Sequence, residues 1–172
     1  MADVSAIFGI LLIFGIAFPG MLIAWWLLFP STVERARLRL ERTPWQSFWF
    51  GGILTAVFVI PTVILLALPF GAAKFLGWAT IAVVLSLSSL GAAGIAAKMG
   101  ERLTQLSTTG PFSAFLRGAI ALELAVFFPV LGWLIVLPLT IVTSIGATGF
   151  ALLRWTPRTI QTPAASPKPV QA

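Results

Sequence analysis

Long apolar runs alternate with short polar connectors along this chain. The first three runs cover residues 4–29, 45–70 and 75–97, and each exceeds the ~20 residues that a helix needs to cross about 30 Å of hydrocarbon. Pro61 falls inside the second run and is expected to break it. The pattern predicts an all-α fold: a polytopic membrane bundle of four to five transmembrane segments.

The last apolar region, residues 118–153, is too long for one span. As a single helix it would extend for about 54 Å at ~1.5 Å per residue. A proline followed by a glycine and a tryptophan favours a break at residues 129–133. We therefore predict a short or re-entrant segment over 112–130, a reversal of the chain, and a span over 133–153. The transmembrane domain would comprise residues 1–155, and a flexible Pro-rich tail would follow over 156–172.

The connector over residues 31–43 is predicted to form a surface helix. Ser31 is expected to cap its start, with Glu34 completing a capping box. Its basic residues are Arg35, Arg37, Arg39 and Arg42. Because apolar residues recur beside them at helical spacing, this helix is expected to lie on the membrane. Anionic lipid headgroups are the expected contact, and a partner protein is the alternative.

The cations are distributed unequally between the two ends of the predicted bundle. If the chain reverses at 129–133, ten of the 11 Lys and Arg residues fall on one face, and Lys74 alone falls on the other. Tryptophans form belts at both faces, with Trp78 and Trp133 opposite the cationic one. The positive-inside rule then places the amino terminus outside and the carboxyl tail in the cytoplasm. Because the cations flank apolar runs, we expect no nucleic-acid partner.

Composition excludes much enzyme chemistry. The chain is 59% hydrophobic and 9% charged, and it has no Cys, His, Tyr or Asn. Thiolate nucleophiles, imidazole bases and the usual zinc, iron–sulfur and haem ligand sets are therefore missing from its side chains. We predict a protein that is not an enzyme, with no cofactor, catalytic residue or metal site.

Glu123 is the one ionisable residue placed well inside an apolar segment, which makes it a candidate functional group. One interpretation is a proton or cation relay. The other is a hydrogen-bonded joint between helices, with Thr140, Ser144 or Thr148 as partner, so that Glu123→Leu would remove an interhelical bond. The joint is favoured, because transporters usually offer several intramembrane polar groups.

Small residues recur in the second half of the third run. They include Ser89, Gly91, Ala93, Gly94 and Ala97. Small side chains let another backbone approach closely, so this face is expected to pack against a helix of the same chain rather than against another subunit.

Two segments, FPSTVERARLRLERTPWQSFWFGG and FFPVLGWLIVLP, resemble the multi-pass membrane module that bacteria often carry after bactofilin-like, polymer-forming repeats. The resemblance implies a bacterial envelope protein without known catalysis, and it transfers no site residue. The resulting expectation is a non-enzymatic subunit or scaffold within a larger assembly of other membrane protein subunits. Its location would be the bacterial cytoplasmic (inner) membrane or a specialised internal membrane. The alternative is a small transporter or channel that uses Glu123.

Overall fold

The computed structural model describes residues 2–105 and 110–153, with the backbone alone for parts of the first helix. Every element in these ranges is helical, which confirms the all-α prediction. The elements are α1 (Ala2–Leu28), α2 (Pro30–Arg42), α3 (Pro44–Ala67), α4 (Gly71–Thr104), α5 (Pro111–Phe127), a π-helical turn (Gly132–Val136) and α6 (Leu137–Leu152).

The protein is membrane-embedded. In the described part of the chain, α3, α4 and the continuous helix Gly132–Leu152 are long and apolar enough to cross a membrane. The pair Gly15–Leu28 and Pro30–Arg42, bent by 106°, would make a fourth span if it were one broken helix. Because α2 carries four arginines, we treat it as a surface helix. At 17 residues, α5 extends for about 25 Å, so the segment predicted to be short is short.

Prolines set the starts of three helices. Pro30, Pro44 and Pro111 occupy the first turn of α2, α3 and α5, where the N–H that proline lacks would have no intrahelical partner. Since α2 begins at Pro30, Ser31 is already inside the first turn, and the N-cap is Phe29 with no side-chain cap. The predicted capping box is therefore wrong.

The expectation that Pro61 breaks the second run is also wrong. α3 continues through Pro61, because membrane helices tolerate proline where nearby groups adjust to the freed carbonyl. In that turn the hydroxyl of Thr62 donates to the carbonyl of Phe58 at 2.7 Å. α4 extends to Thr104, seven residues beyond the end of the apolar run over 75–97.

The chain reverses between α5 and α6, which confirms the break predicted at 129–133. The turn contains Val130, whose φ of 68° lies in the left-handed region. Gly132 follows, and a Cβ there would lie within 3.0 Å of the carbonyl oxygen of Val126. After the reversal, α6 returns to the end of the bundle at which α2 lies, and its Ala147 and Ala151 pack against α2.

Glycines bring the helices of the core into backbone contact. A Cβ at Gly51 of α3 would lie within 3.0 Å of the backbone of Val142 and Gly146 on α6. Gly100 of α4 and Gly118 of α5 approach each other in the same way. α4 lies at the centre and contacts α5, α6, α3, α2 and α1.

The two ends of the bundle differ in charge as predicted. Lys74 lies near the α3–α4 turn, and every other described Lys or Arg lies toward the end that carries α2, which we call the α2 face. Trp78 and Trp133 are exposed toward the opposite end. The predicted tail over 156–172, together with Arg154 and Trp155, lies outside the described residues.

Candidate docking face and buried carboxylate

α2 is fixed onto the bundle by interior contacts. Ala36 packs against Gly94 of α4, where an added Cβ would lie 3.0 Å from the Ala36 Cβ. The ammonium group of Lys98 donates to the carbonyl oxygen of Leu40 at 2.6 Å. Both contacts join α2 to α4, so the position of α2 across the helix ends is set by the bundle.

One flank of α2 carries an ion-paired arginine. Arg37 donates to both carboxylate oxygens of Glu34, from Nε at 2.9 Å and from Nη2 at 2.6 Å. Its Nη1 donates to Glu101 of α4. The hydrogen bonds to Glu34, with the charges of Glu34 and Glu101, raise the pKa of the Arg37 guanidinium above its ordinary value. The hydrogen-bonding capacity of Arg37 is therefore largely used inside the protein.

The opposite flank of α2 carries Arg35, Arg39 and Arg42, which we call the basic flank. Residues two apart on a helix are about 200° apart around its axis, so Arg35 and Arg39 both point away from Arg37. Arg39 is only 8% exposed, and its Nε has no hydrogen-bond partner in the described part of the chain. The enclosed Nε of Arg35 also has none there, although its Nη2 donates to the hydroxyl of Thr32 at 3.2 Å.

An aromatic ring lies under the guanidinium of Arg39. The Cζ atom is 4.1 Å from the ring centroid of Phe150 on α6, and that ring stacks on Phe50 of α3 at 4.3 Å. Burial lowers the pKa of Arg39 from its ordinary value. That ordinary value is so high that the group remains charged. The structure thus holds a permanent cation against the ends of α3 and α6.

A cavity of about 330 Å³ lies beside the ion-paired flank. Glu34, Arg37 and Glu101 line it together with the stacked rings of Trp26 and Phe115, whose centroids are 5.2 Å apart. Since its charged groups already bind one another, this cavity has little capacity left for a charged ligand.

Glu123 is buried between α5 and α1. Its side chain is 7% exposed, and its Oε1 has no hydrogen-bond partner among the described residues. The same oxygen faces Gly15 of α1, where an added Cβ would lie 3.4 Å from it. Arg117, six residues earlier on α5, is exposed.

The structure does not bring Glu123 to the hydroxyls predicted as its partners. Thr148 donates instead to the carbonyl oxygen of Leu87 on α4 at 2.9 Å. Ser144 is buried, and its Oγ has no partner in the described ranges, while Thr140 lines a separate groove. The reason is that α4 packs between α5 and α6, so α5 turns its carboxylate toward α1.

That groove, of about 400 Å³, lies between α1, α4 and α6. Phe18, Trp25, Ala92 and Ile141 are among its lining residues. At one side the indole N–H of Trp25 donates to the hydroxyl of Ser89 at 2.8 Å. This hydroxyl already binds within the protein, so the groove presents a largely apolar surface.

The predicted small-residue face divides between several partners. Gly91 lies against the backbone of Ser144 on α6, and Gly94 lies against α2. Ala93 is fully buried, Ala97 is half-buried, and Ser89 binds α1. The sequence reasoning missed the contacts of Gly51, Gly100 and Gly118. The position of Gly51 in an apolar run was a signal that could have indicated a close helix contact there. Gly100 gave no such signal, because it lies in a polar stretch of the sequence.

Comparison with known proteins gives no match, either to a family model, to a curated protein or to a solved structure. Within residues 2–105 and 110–153, no group of three or more Asp or Glu side chains is placed to hold a metal ion. The candidate groups are therefore the arginines of α2 and the carboxylate of Glu123.

Proposed function

We propose that this protein is a non-enzymatic membrane subunit or scaffold of a larger assembly in the bacterial inner membrane, docking through the α2 face. The observation that carries the proposal is the fixed attachment of α2. Gly94 admits Ala36 at close range, and Lys98 binds the carbonyl oxygen of Leu40. A docking surface is most effective when its groups are held in place before the partner arrives.

The outward side of α2 offers both an apolar contact and a charged contact to a docking partner. Leu38 is an exposed apolar residue, and Arg42 is an exposed cation one turn further on. Interfaces combine such apolar contacts with charges that orient the partner. Anionic lipid headgroups would surround the same helix, since each basic residue near an anionic surface contributes about 1 kcal/mol.

Purification in mild detergent tests the docking role. We expect the wild type to elute with a partner in fixed ratio, and the variant Arg35→Glu/Arg39→Glu/Arg42→Glu to lose that partner. Lys74→Glu, a charge reversal at the opposite end of the bundle, is the matched control and should retain it. A triple variant that inserts normally and keeps the partner at the wild-type ratio contradicts the proposal.

The proposed orientation has its own test, because the chain contains no native cysteine. We expect a cysteine at Ser31, on the α2 face, to be labelled from the cytoplasmic side only. A cysteine at Gly71, which has open space around it, should be labelled from outside only. The reverse pattern would contradict the proposed topology.

A small transporter or channel is the second candidate function. The enclosed Oε1 of Glu123, which has no hydrogen-bond partner among the described residues, favours it. Proton flux into vesicles containing a pH-sensitive dye would support this role if Glu123→Gln abolished it. Glu101→Gln is the matched control, because Glu101 is an exposed carboxylate on the α2 face. If proton flux is lost in Glu123→Gln and kept in Glu101→Gln, the transporter or channel role replaces the scaffold role.

A further inference from the structure

Within residues 2–105 and 110–153, no side-chain carboxylate is shown in contact with the buried guanidinium of Arg39. The chain has five Asp and Glu residues, and Glu34 and Glu101 bind Arg37. Glu41, two residues beyond Arg39, lies on the opposite side of α2. The remaining two acidic residues are Glu123 and Asp3. Glu123 faces α1, and Asp3 lies at the amino-terminal end of α1.

A buried guanidinium without a counterion is costly. Removing an ion from water is strongly unfavourable unless a partner of opposite charge and hydrogen bonds compensate. The ring of Phe150 offsets part of this cost, and so does the negative end of the α6 dipole. Neither accepts a hydrogen bond from the Nε of Arg39, which remains unpartnered in the part of the chain that the structure describes.

Arg35 increases the demand for an anion at the same place. It lies four residues before Arg39, so the two side chains are neighbours on one side of α2. Their like charges repel, and each has an enclosed Nε–H group that finds no acceptor among the described residues. One oxyanion with several acceptor oxygens, bound at the outer edges of the two guanidinium groups, would neutralise both charges together.

We propose that Arg35 and Arg39 form a binding site for a phosphate group, and specifically for the phosphate of an anionic phospholipid headgroup. The planar, forked donors of arginine match phosphate oxygens in charge and geometry. The inference rests on the proposed function only in taking α2 to lie at the membrane surface, and it needs no partner protein.

The surroundings of the site favour a lipid over free phosphate. Trp45 and Trp49, in the first turns of α3, are both exposed on the α2 face. Exposed tryptophans at the end of a membrane helix are typical of the headgroup level of the bilayer. The basic flank therefore lies at the depth where phospholipid phosphates are concentrated.

Lipid binding to the delipidated full-length protein, measured by native mass spectrometry in mild detergent, tests the site. For phosphatidylglycerol we expect roughly tenfold weaker binding in Arg39→Gln and in Arg35→Gln, from the loss of charge-assisted hydrogen bonds. Arg39→Lys keeps the positive charge but loses the forked donors of the guanidinium. Its affinity for phosphatidylglycerol should therefore lie between that of the two glutamine variants and that of the wild type. Arg102→Gln is the matched control: it removes an exposed arginine at the same face and should change affinity less than about twofold.

Three further results decide the proposal. Wild-type binding of phosphatidylglycerol by both Arg35→Gln and Arg39→Lys would overturn it, and Arg39→Lys keeps the test valid if Arg39→Gln does not fold. Equal losses in Arg102→Gln would also overturn it, because they would indicate a general charge effect. Inorganic phosphate should not displace the lipid, and full displacement would assign the site to free phosphate instead. If no partner elutes with the wild type, the proposed function fails, but these lipid measurements still test the Arg35–Arg39 site on their own.

Discussion

The contacts between α3 and α6 differ in kind from the contacts that hold α1. At Gly51 and Gly146 the backbones of α3 and α6 meet with no room for a Cβ. α1 is held instead by side chains, among them the indole of Trp25 and the buried Leu22. It also faces a carboxyl oxygen of Glu123 that has no partner among the described side chains, and it borders a groove of about 400 Å³.

The difference indicates which helix is most easily displaced. Lipid is as apolar as the helix surfaces, so close van der Waals packing rather than hydrophobic burial holds membrane helices together. The backbone contacts between α3 and α6 provide this packing, and the α1 contacts provide less of it. We therefore expect substitutions between α3 and α6 to affect the whole bundle, and substitutions facing α1 to have smaller effects.

Gly51→Ala is expected to have the largest effect. The new Cβ would lie within 3.0 Å of the backbone of Val142, which cannot move without shifting α6. Overpacking of this kind costs about 1–3 kcal/mol of unfolding free energy. Unfolding by SDS titration measures it, with Gly52→Ala as control, because nothing lies within 4 Å of a Cβ at Gly52. Equal stability of the two variants would remove the contrast between the α3–α6 and α1 contacts.

Glu123→Leu is expected to stabilise the bundle by about 1 kcal/mol. An enclosed polar atom without a partner costs about 1–3 kcal/mol, and leucine removes it. Glu123→Gln keeps the size and polarity and should change stability little. Unfolding by SDS titration measures the stability of both variants. A loss of stability in Glu123→Leu would indicate that the carboxyl group holds α1 by a hydrogen bond, as the sequence had suggested for α6.

Ser89→Ala tests the polar contact of α1. It removes the acceptor of the Trp25 indole N–H, and such bonds between membrane helices contribute about 0.6 kcal/mol. Ser86→Ala is the control, because that hydroxyl donates to Ala82 of its own helix. If both substitutions lower the free energy of unfolding by the same amount, the Trp25 contact contributes nothing specific to the position of α1.

Glu101→Gln should have the smallest effect, at about 0.5 kcal/mol or less. The Glu101 side chain is 56% exposed, and exposed ion pairs contribute little. Arg37 also keeps Glu34 as a partner. The difference from wild type should disappear in about 1 M salt, where charges are screened within ~3 Å. A cost that persisted in salt would mean that Glu101 contributes through packing. Glu41→Gln is the control, because Glu41 is an exposed glutamate of α2 that forms no salt bridge with the described residues.

The elements of the fold were predictable because each depends on a local property of the chain. Apolar runs longer than a bilayer is thick become membrane helices, and α3 begins and ends within three residues of the run that predicted it. The reversal near Val130 was also predictable, since a 36-residue apolar helix exceeds the bilayer. Pro61 was misjudged because the tolerance of a membrane helix for proline depends on its neighbours.

The candidate sites were less predictable. Sequence reasoning selected all four arginines of α2, but it could not distinguish Arg37 from Arg39. That distinction depends on Glu101, which lies 64 residues from Arg37 along the chain. Glu123 was selected for the right reason, its apolar surroundings, and assigned the wrong neighbours.

The sequence by itself determined three features: the protein is embedded in a membrane, particular segments form its helices, and one end of the bundle is basic. These features follow from hydropathy and charge along short stretches, because the bilayer is a uniform solvent that acts on each segment separately. Only the tertiary structure decided that α4 separates α5 from α6, and hence that Glu123 faces Gly15 rather than Ser144. It also decided that Arg39 is enclosed beside Phe150, with no carboxylate partner in the part of the chain that the structure describes. Such pairings depend on which helix faces fit one another, and close packing is a property of two surfaces together.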